Sequence, residues 1–198
     1  MKLKDKCKPS IPPIEPDVYM AVCTIVADVG EQYSEKYKNT NNQVLLAFDI
    51  PDIAIEVNGE NKPRQLSKRY TYSTDTRSNL NKILCSWLNK KFSEDELREL
   101  ELFDLLGRGC QVQVTLKEDG KHNDIANVMA LPRGMKTPET VNPYLAYDID
   151  KDGFTGEKWD ALPEWLRNII EQSEQYQKNP PEKVLEMPDD TTSEECPI

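Results

Sequence analysis

The sequence has one histidine, His122, in 198 residues. A Ser-His-Asp triad or a His-built metal centre therefore has almost nothing to draw on. There is no CxxC pair; the five cysteines, Cys7, Cys23, Cys85, Cys110 and Cys196, are odd in number and widely scattered. That excludes a zinc knuckle and an ordinary disulfide framework and fits a reducing cytoplasm. No glycine-rich phosphate loop occurs. No apolar run approaches the roughly 20 residues that span a bilayer. The basic start, MKLKDKCKPSIPPIEP, has no hydrophobic stretch behind it, so it does not read as a secretion signal. The acids are plentiful but none sits in an apolar run where a shifted pKa is expected. The expectation is a chain with no enzymatic activity, no cofactor and no membrane partner.

What is present is charge, unevenly placed. The net charge is −10. Residues 1–140 hold 20 Lys and Arg against 21 Asp and Glu, whereas residues 141–198 hold 5 against 14. A nearly neutral body thus carries an acidic C-terminus, and a low isoelectric point does not argue against an anionic partner for the body.

Four segments are expected: an extended arm (1–16), a β-rich domain (17–134), an extension with a short helix (135–178) and a disordered acidic tail (179–198). VYMAVCTIVADVG (18–30) reads as a first strand and QVLLAFDI (43–50) as a second that stops at Pro51, with IAIEV (53–57) continuing it after a bulge. RQLSKRYTYS (64–73) reads as a third. The period then changes. Leu80, Ile83, Leu84, Trp87 and Leu88 form a helical stripe that Thr76 or Ser78 can cap. Ser93 and Glu96 make a capping box for a second helix. Clean alternation returns at Cys110, Val112, Val114 and Leu116, and IANVMALP (125–132) is the return strand of a hairpin. Three strands, a helical insertion and two strands make a mainly β, α+β chain. The order is that of a five-stranded OB barrel, with another α+β sheet as its rival.

Two stretches carry candidate sites. DIDKDGFTGEKW (148–159) puts Asp148, Asp150 and Asp152 at positions 1, 3 and 5 of a calcium loop, but position 12 is Trp159 instead of a bidentate Glu. An acidic turn is the expected reading and a weak calcium site the alternative. KPRQLSKRYTYS (62–73) interleaves Lys62, Arg64, Lys68 and Arg69 with Tyr70 and Tyr72. On a strand, 68, 70 and 72 share one face, which would offer a cation and two stacking rings to a single strand of nucleic acid. Lys36, Tyr37 and Lys38, in the loop after the first strand, would extend that groove. The same tyrosines would equally serve as core cover.

The run QVLLAFDIP, NGENKPRQLSKRYTYS, SNLNKILCSWLNKKFSEDEL and LLGRGCQVQVTLKEDGKHNDIANVMALPRGM resembles a group of phage and prophage proteins. These accompany recombination and replication genes and are regarded as OB-fold-like single-stranded-DNA-binding proteins. The resemblance spans about residues 18–177. It implies the barrel and the coating of single-stranded DNA without sequence preference in a bacterial cytoplasm; a homo-oligomer is compatible with it. The ending Glu194, Glu195, Cys196, Pro197, Ile198 resembles the acidic tip of bacterial single-stranded-DNA-binding proteins, typically Asp-Asp-Ile-Pro-Phe, with Ile in place of the terminal Phe. That likeness implies recruitment of replication or recombination proteins through the tip. The competing function is a protein-interaction module that binds a host or phage protein and no nucleic acid.

Overall fold

A computed structural model describes residues 11–35, 38–57 and 59–181. Its strands are β1 (Val18–Ser34), β2 (Asn39–Val57), β3 (Glu60–Thr71), β4 (Gly109–Leu116), β5 (Asn123–Met129) and β6 (Leu145–Tyr147). Helices α1 (Asn79–Leu88) and α2 (Glu94–Arg98) and a 3-10 turn (Leu102–Leu105) lie between β3 and β4. Four short helices follow β6: α3 (Ile149–Asp152), α4 (Glu157–Ala161), α5 (Glu164–Ile170) and α6 (Glu174–Lys178). Among the described residues no helix is long and apolar enough to cross a membrane.

The sheet runs in the order β3-β2-β1-β4-β5, antiparallel throughout, with β6 added parallel to β1. The long β1 is the shared strand. Its first part, Val18–Val22, pairs with β4, and Ile25–Ala27 pairs with β6 on the same edge. Thr24 sits at the register shift between these two stretches. The extra residue of a bulge bends a strand and raises its twist. Pro51 falls in the register shift between Ile50 and Ala54, so β2 continues past the proline instead of ending there. The ladder does not close: β3 and β5 remain two free edges, and the expected barrel is an open sheet of six strands instead of five.

Two apolar layers explain the runs of β1 and β2. One face places Ala21, Cys23, Val26, Leu46, Phe48 and Ile50 against α1 and the β4–β5 hairpin. The opposite face places Ile25, Ala27, Val29, Leu45 and Ala47 against Tyr147, Ile149, Trp159, Leu162, Leu166 and Ile170. A strand covered on both sides loses its polar alternation, which is why these strands read as continuous apolar runs. The segment expected to be irregular with one short helix therefore carries a strand and four helices that form a second core. An aromatic cluster ties it together: Phe154 meets Tyr176 edge-on at 4.9 Å, and Trp159 stacks on Tyr176 at 5.9 Å. Gly30 (φ +72°) is needed where this layer crosses β1, since a Cβ there would stand 2.7 Å from Gln175 Oε1 and 2.8 Å from Ile149 Cδ1.

The local capping chemistry is as the residues imply. Ser78 accepts the Asn81 N–H, and Ser93 and Glu96 complete both bonds of the capping box. Trp87 is buried against Phe48 at 5.5 Å and donates Nε1–H to Gly109 O at 3.0 Å, which pins α1 beneath the hairpin. Leu116 departs from its alternation: it is exposed at the end of β4 and does not join Cys110, Val112 and Val114 in the core.

A wholly buried carboxylate staples the two layers. Asp49 Oδ1 accepts from Thr24 (3.2 Å) and Gln65 (2.9 Å), and Oδ2 accepts from Thr140 (2.5 Å) and Asn142 (2.7 Å). These four donors are neutral. They hold the 140–142 segment, which leads into β6, onto the sheet.

Candidate nucleic-acid interface

The two free edges, β3 and β5, face one another across α1. Near one end they are latched: Lys68 Nζ donates to Asp124 Oδ2 at 2.9 Å and to Ile125 O at 2.5 Å. Beyond the latch the edges leave a cleft of about 890 Å³. Its walls come from three places: Lys68, Arg69, Tyr70 and Thr71 of β3, Ala126 and Asn127 of β5, and Ser73, Asp75, Arg77, Ser78, Asn79, Lys82 and Ile83 of the loop and first turns of α1. Four cations line it, Lys68, Arg69, Arg77 and Lys82, against one acid, Asp75. Arg77 covers that acid, with Nη2 2.9 Å and Nε 3.2 Å from its carboxylate, and these bonds hold the Asp75 carboxyl well below the usual range. Arg69 and Lys82 have no ion pair among the described residues. On the far side of the latch lies a second hollow of about 340 Å³, which shares Lys68 and Arg69 and adds Lys117. Cations thus border both hollows, Lys117 in one, Arg77 and Lys82 in the other, and Lys68 and Arg69 in both.

Of the residues singled out from the sequence, Lys68 and Arg69 border this cleft. Tyr70 does not serve as a stacking surface, a correction to the expected face. Leu66, Lys68 and Tyr70 point inward, so Tyr70 is 4% exposed and belongs to the core with Leu80, Ile83 and Val114. Burial raises its phenol pKa, with the Asp124 charge adding to the shift, and its hydroxyl has no hydrogen-bond partner among the described residues. Tyr72 is exposed, at 53%, just past the end of β3, where its N–H still donates to Asn42 O at 2.8 Å, but it does not line this cleft. It borders a different hollow of about 220 Å³ with Asp28, Glu99, Glu101 and Asp148 against Arg98 and Lys151. That balance repels phosphate. Burial and then the charges of Asp28, Glu101 and Asp148 raise the Tyr72 pKa.

Lys62 and Arg64 also lie elsewhere. They border a groove of about 490 Å³ with Ile11, Ile55, Pro163 and Trp165, at the other end of β3. Lys62 pairs with Glu60 at 3.1 Å, and Arg64 Nε is buried with no hydrogen-bond partner among the described residues. Lys38 sits exposed at the β1–β2 turn with φ +50° and does not line the cleft. Lys36 and Tyr37, and the tip Glu194, Glu195, Cys196, Pro197 and Ile198, lie outside the described residues, as does most of the expected arm and tail.

The candidate calcium loop is occupied by its own chain. Asp148 caps α3, accepting from the Asp150 and Lys151 N–H groups, and pairs with Lys151 at 2.9 Å. Asp152 accepts the Asp148 N–H and pairs with Lys158 at 2.6 Å. Among the described residues no three His, Cys, Asp or Glu side chains gather into a metal-holding group.

Arg77, Lys82, Asn127 and Lys117 were not singled out in the sequence. A signal for two of them exists. The first turn of α1 carries no acid, and Arg77 and Lys82 flank its capping Ser78. A helix start without carboxylates but with cations is suited to an external anion. No protein-family model matches this sequence and no curated protein is similar to it, so the chemistry of the cleft is the guide to what the chain does.

Proposed function

We propose that the chain is a non-catalytic single-stranded-DNA-binding protein whose cleft between β3, β5 and α1 holds the sugar-phosphate backbone. The observation that carries this is the group of cations on β3, the loop after it and α1 (Lys68, Arg69, Arg77 and Lys82), with Arg69 and Lys82 in no ion pair among the described residues and the nearby acids Asp75 and Asp124 each held by a cation. Phosphate contacts of this kind are indifferent to sequence. The binding mode is electrostatic: neither Tyr70 nor Tyr72 offers a ring in the cleft. The strand order, with a helical segment between the third and fourth strands, supports an OB-type architecture whose β3–β5 seam is held by the Lys68 side chain in place of a backbone ladder. Such a protein acts in the cytoplasm of a bacterial host, in replication or recombination. In the same reading the acidic tip, Glu194 to Ile198, recruits partner enzymes: the terminal side chain enters an apolar pocket while the carboxylates meet basic groups.

Titration of fluorescent oligo-dT with the full chain at low salt tests the proposal. Saturable binding that Arg69→Glu with Lys82→Glu weakens at least about tenfold is expected, while Lys62→Glu in the separate groove leaves it unchanged. A folded double variant that binds as tightly as the parent would sink the interface. The groove of Ile11, Ile55 and Trp165, apolar and open, favours the protein-interaction reading if oligo-dT does not bind at all.

A further inference from the structure

The groove at the other end of β3 combines an apolar shelf with two cations. The shelf is Ile11, Ile55, Pro163 and Trp165. Helix α5 buries Leu166 and Ile170 in the second core and leaves Trp165 37% exposed on the groove, which it shares with Ile11, exposed at 47%. An open indole among other apolar groups is the kind of surface on which a partner's side chain anchors.

Lys62 and Arg64 border the same groove, and no acid lines it among the described residues. Two acids adjoin it and both are taken. Glu60 holds Lys62 at 3.1 Å, and Asp49 accepts from four neutral donors, Gln65 and Asn142 of the groove among them. Arg64 has no such counterpart. It is in no ion pair among the described residues, its Nε is buried with no acceptor there, and burial alone lowers its pKa. A half-buried guanidinium with an unmet donor is costly, and a carboxylate is the acceptor that fits it best. Residues 1–10, which lead into Ile11, hold four lysines against one acid, so the chain that enters the groove is basic too.

We infer that this groove docks an acidic peptide segment of another protein, with an aliphatic or aromatic anchor on the shelf and a carboxylate on Arg64. Charge complementarity selects the acidic peptide. The chain's own acidic segment, 182–198, follows α6, which sits at the opposite end of β2, where Glu174 accepts from Thr40. Thr40 and Ile55 are up to about 50 Å apart along that strand at about 3.3 Å per residue, so a partner's peptide reaches the groove more readily. The groove and the cleft share no lining residue, and the inference stands apart from the strand-binding reading.

The test titrates the isotope-labelled full chain with a synthetic peptide, Asp-Glu-Asp-Leu-Phe-Asp-Glu, while NMR follows the Trp165 indole N–H, the Ile55 methyls and the Arg64 Nε–H. Saturable shifts at all three are expected. Arg64→Gln should weaken the isotherm at least about fivefold, and Arg69→Glu, in the cleft, should leave it unchanged. Trp165→Ala, at an exposed position, should give a similar loss and serves if Arg64→Gln does not fold. The same peptide with lysine in place of every acid should not bind. Absent shifts, shifts that the lysine peptide reproduces, or an isotherm that neither variant changes would overturn the docking site. Neutralising Asp189, Asp190, Glu194 and Glu195 in the full chain tests the other occupant: if that alone moves the Trp165 signal with no peptide present, the chain's own segment fills the groove and the partner assignment is wrong. Oligo-dT binding to Arg64→Gln reads the strand separately, so either reading can fail while the other stands.

Discussion

Salt offers a quantitative test of the cleft, because the number of cations that exchange a counterion for a phosphate sets the slope. Five line the path: Lys117, Lys68, Arg69, Arg77 and Lys82. Two of them already hold protein carboxylates, Lys68 on Asp124 and Arg77 on Asp75, both at 2.9 Å. A cation that stays on its carboxylate neutralises no phosphate and displaces none of the counterions condensed on the strand, so three count in full. For single strands each neutralised phosphate contributes about −0.7 to the slope of log K against log salt, which makes the expected slope about −2. Raising potassium chloride from about 50 to about 200 mM then weakens binding about 20-fold; if all five cations counted, the loss would be about 100-fold. Replacing Arg69 and Lys82 with alanine leaves one full contributor and should flatten the slope to about −0.7. Fluorescence anisotropy of labelled oligo-dT at four or five salt concentrations reads both slopes. A parent slope near zero, or one that the double variant does not change, would refute the assignment of these side chains to phosphates.

Three further outcomes follow from the geometry. Tyr70→Phe removes a buried hydroxyl that has no partner among the described residues and should stabilise the chain by about 1 kcal/mol in urea unfolding; a clear loss of stability would mean that the hydroxyl is satisfied. Asp49→Ala strips four neutral donors of their acceptor. Thr24 is wholly buried whereas Gln65, Thr140 and Asn142 regain some water, so a cost of about 2–4 kcal/mol is expected, with faster proteolysis near residue 140; a cost under about 1 kcal/mol would contradict the stapling role. Glu96 is held down to a pKa of about 2 by its bonds to Lys90 and to the Ser93 N–H. Its contribution is present above the ordinary glutamate range and is lost as pH falls through that range toward about 2; Glu96→Gln should flatten that limb of the acid-unfolding curve, and an unchanged limb would rule it out.

Local order was legible wherever it is carried by neighbours in the chain. The stripe of Leu80, Ile83, Leu84 and Trp87 made α1, Ser78 and the Ser93–Glu96 box capped their helices, and Cys110, Val112 and Val114 alternated into the core. Lys68 and Arg69 were legible as cations on an edge strand, and both border the cleft. The fate of Tyr70 was not. A strand offers two faces of equal spacing, and only the pairing of β3 with β2 decides which of them turns inward. That choice buried Tyr70 with Leu66 and left Arg69 and Thr71 outside.

The sequence by itself determined the first five strands and the first two helices, the β-rich class and the division of charge, since these rest on periodicity, capping and composition over a few residues. Only the tertiary structure decided what lies opposite what. The second core joins β1 to residues more than a hundred positions away, and the cleft takes its walls from β3, α1 and β5. Lys82 and Asn127 become neighbours of Arg69 only when α1 tucks beneath the open seam. No local pattern encodes that, because the driving force is burial of Trp87 and Leu84 against partners distant in the chain.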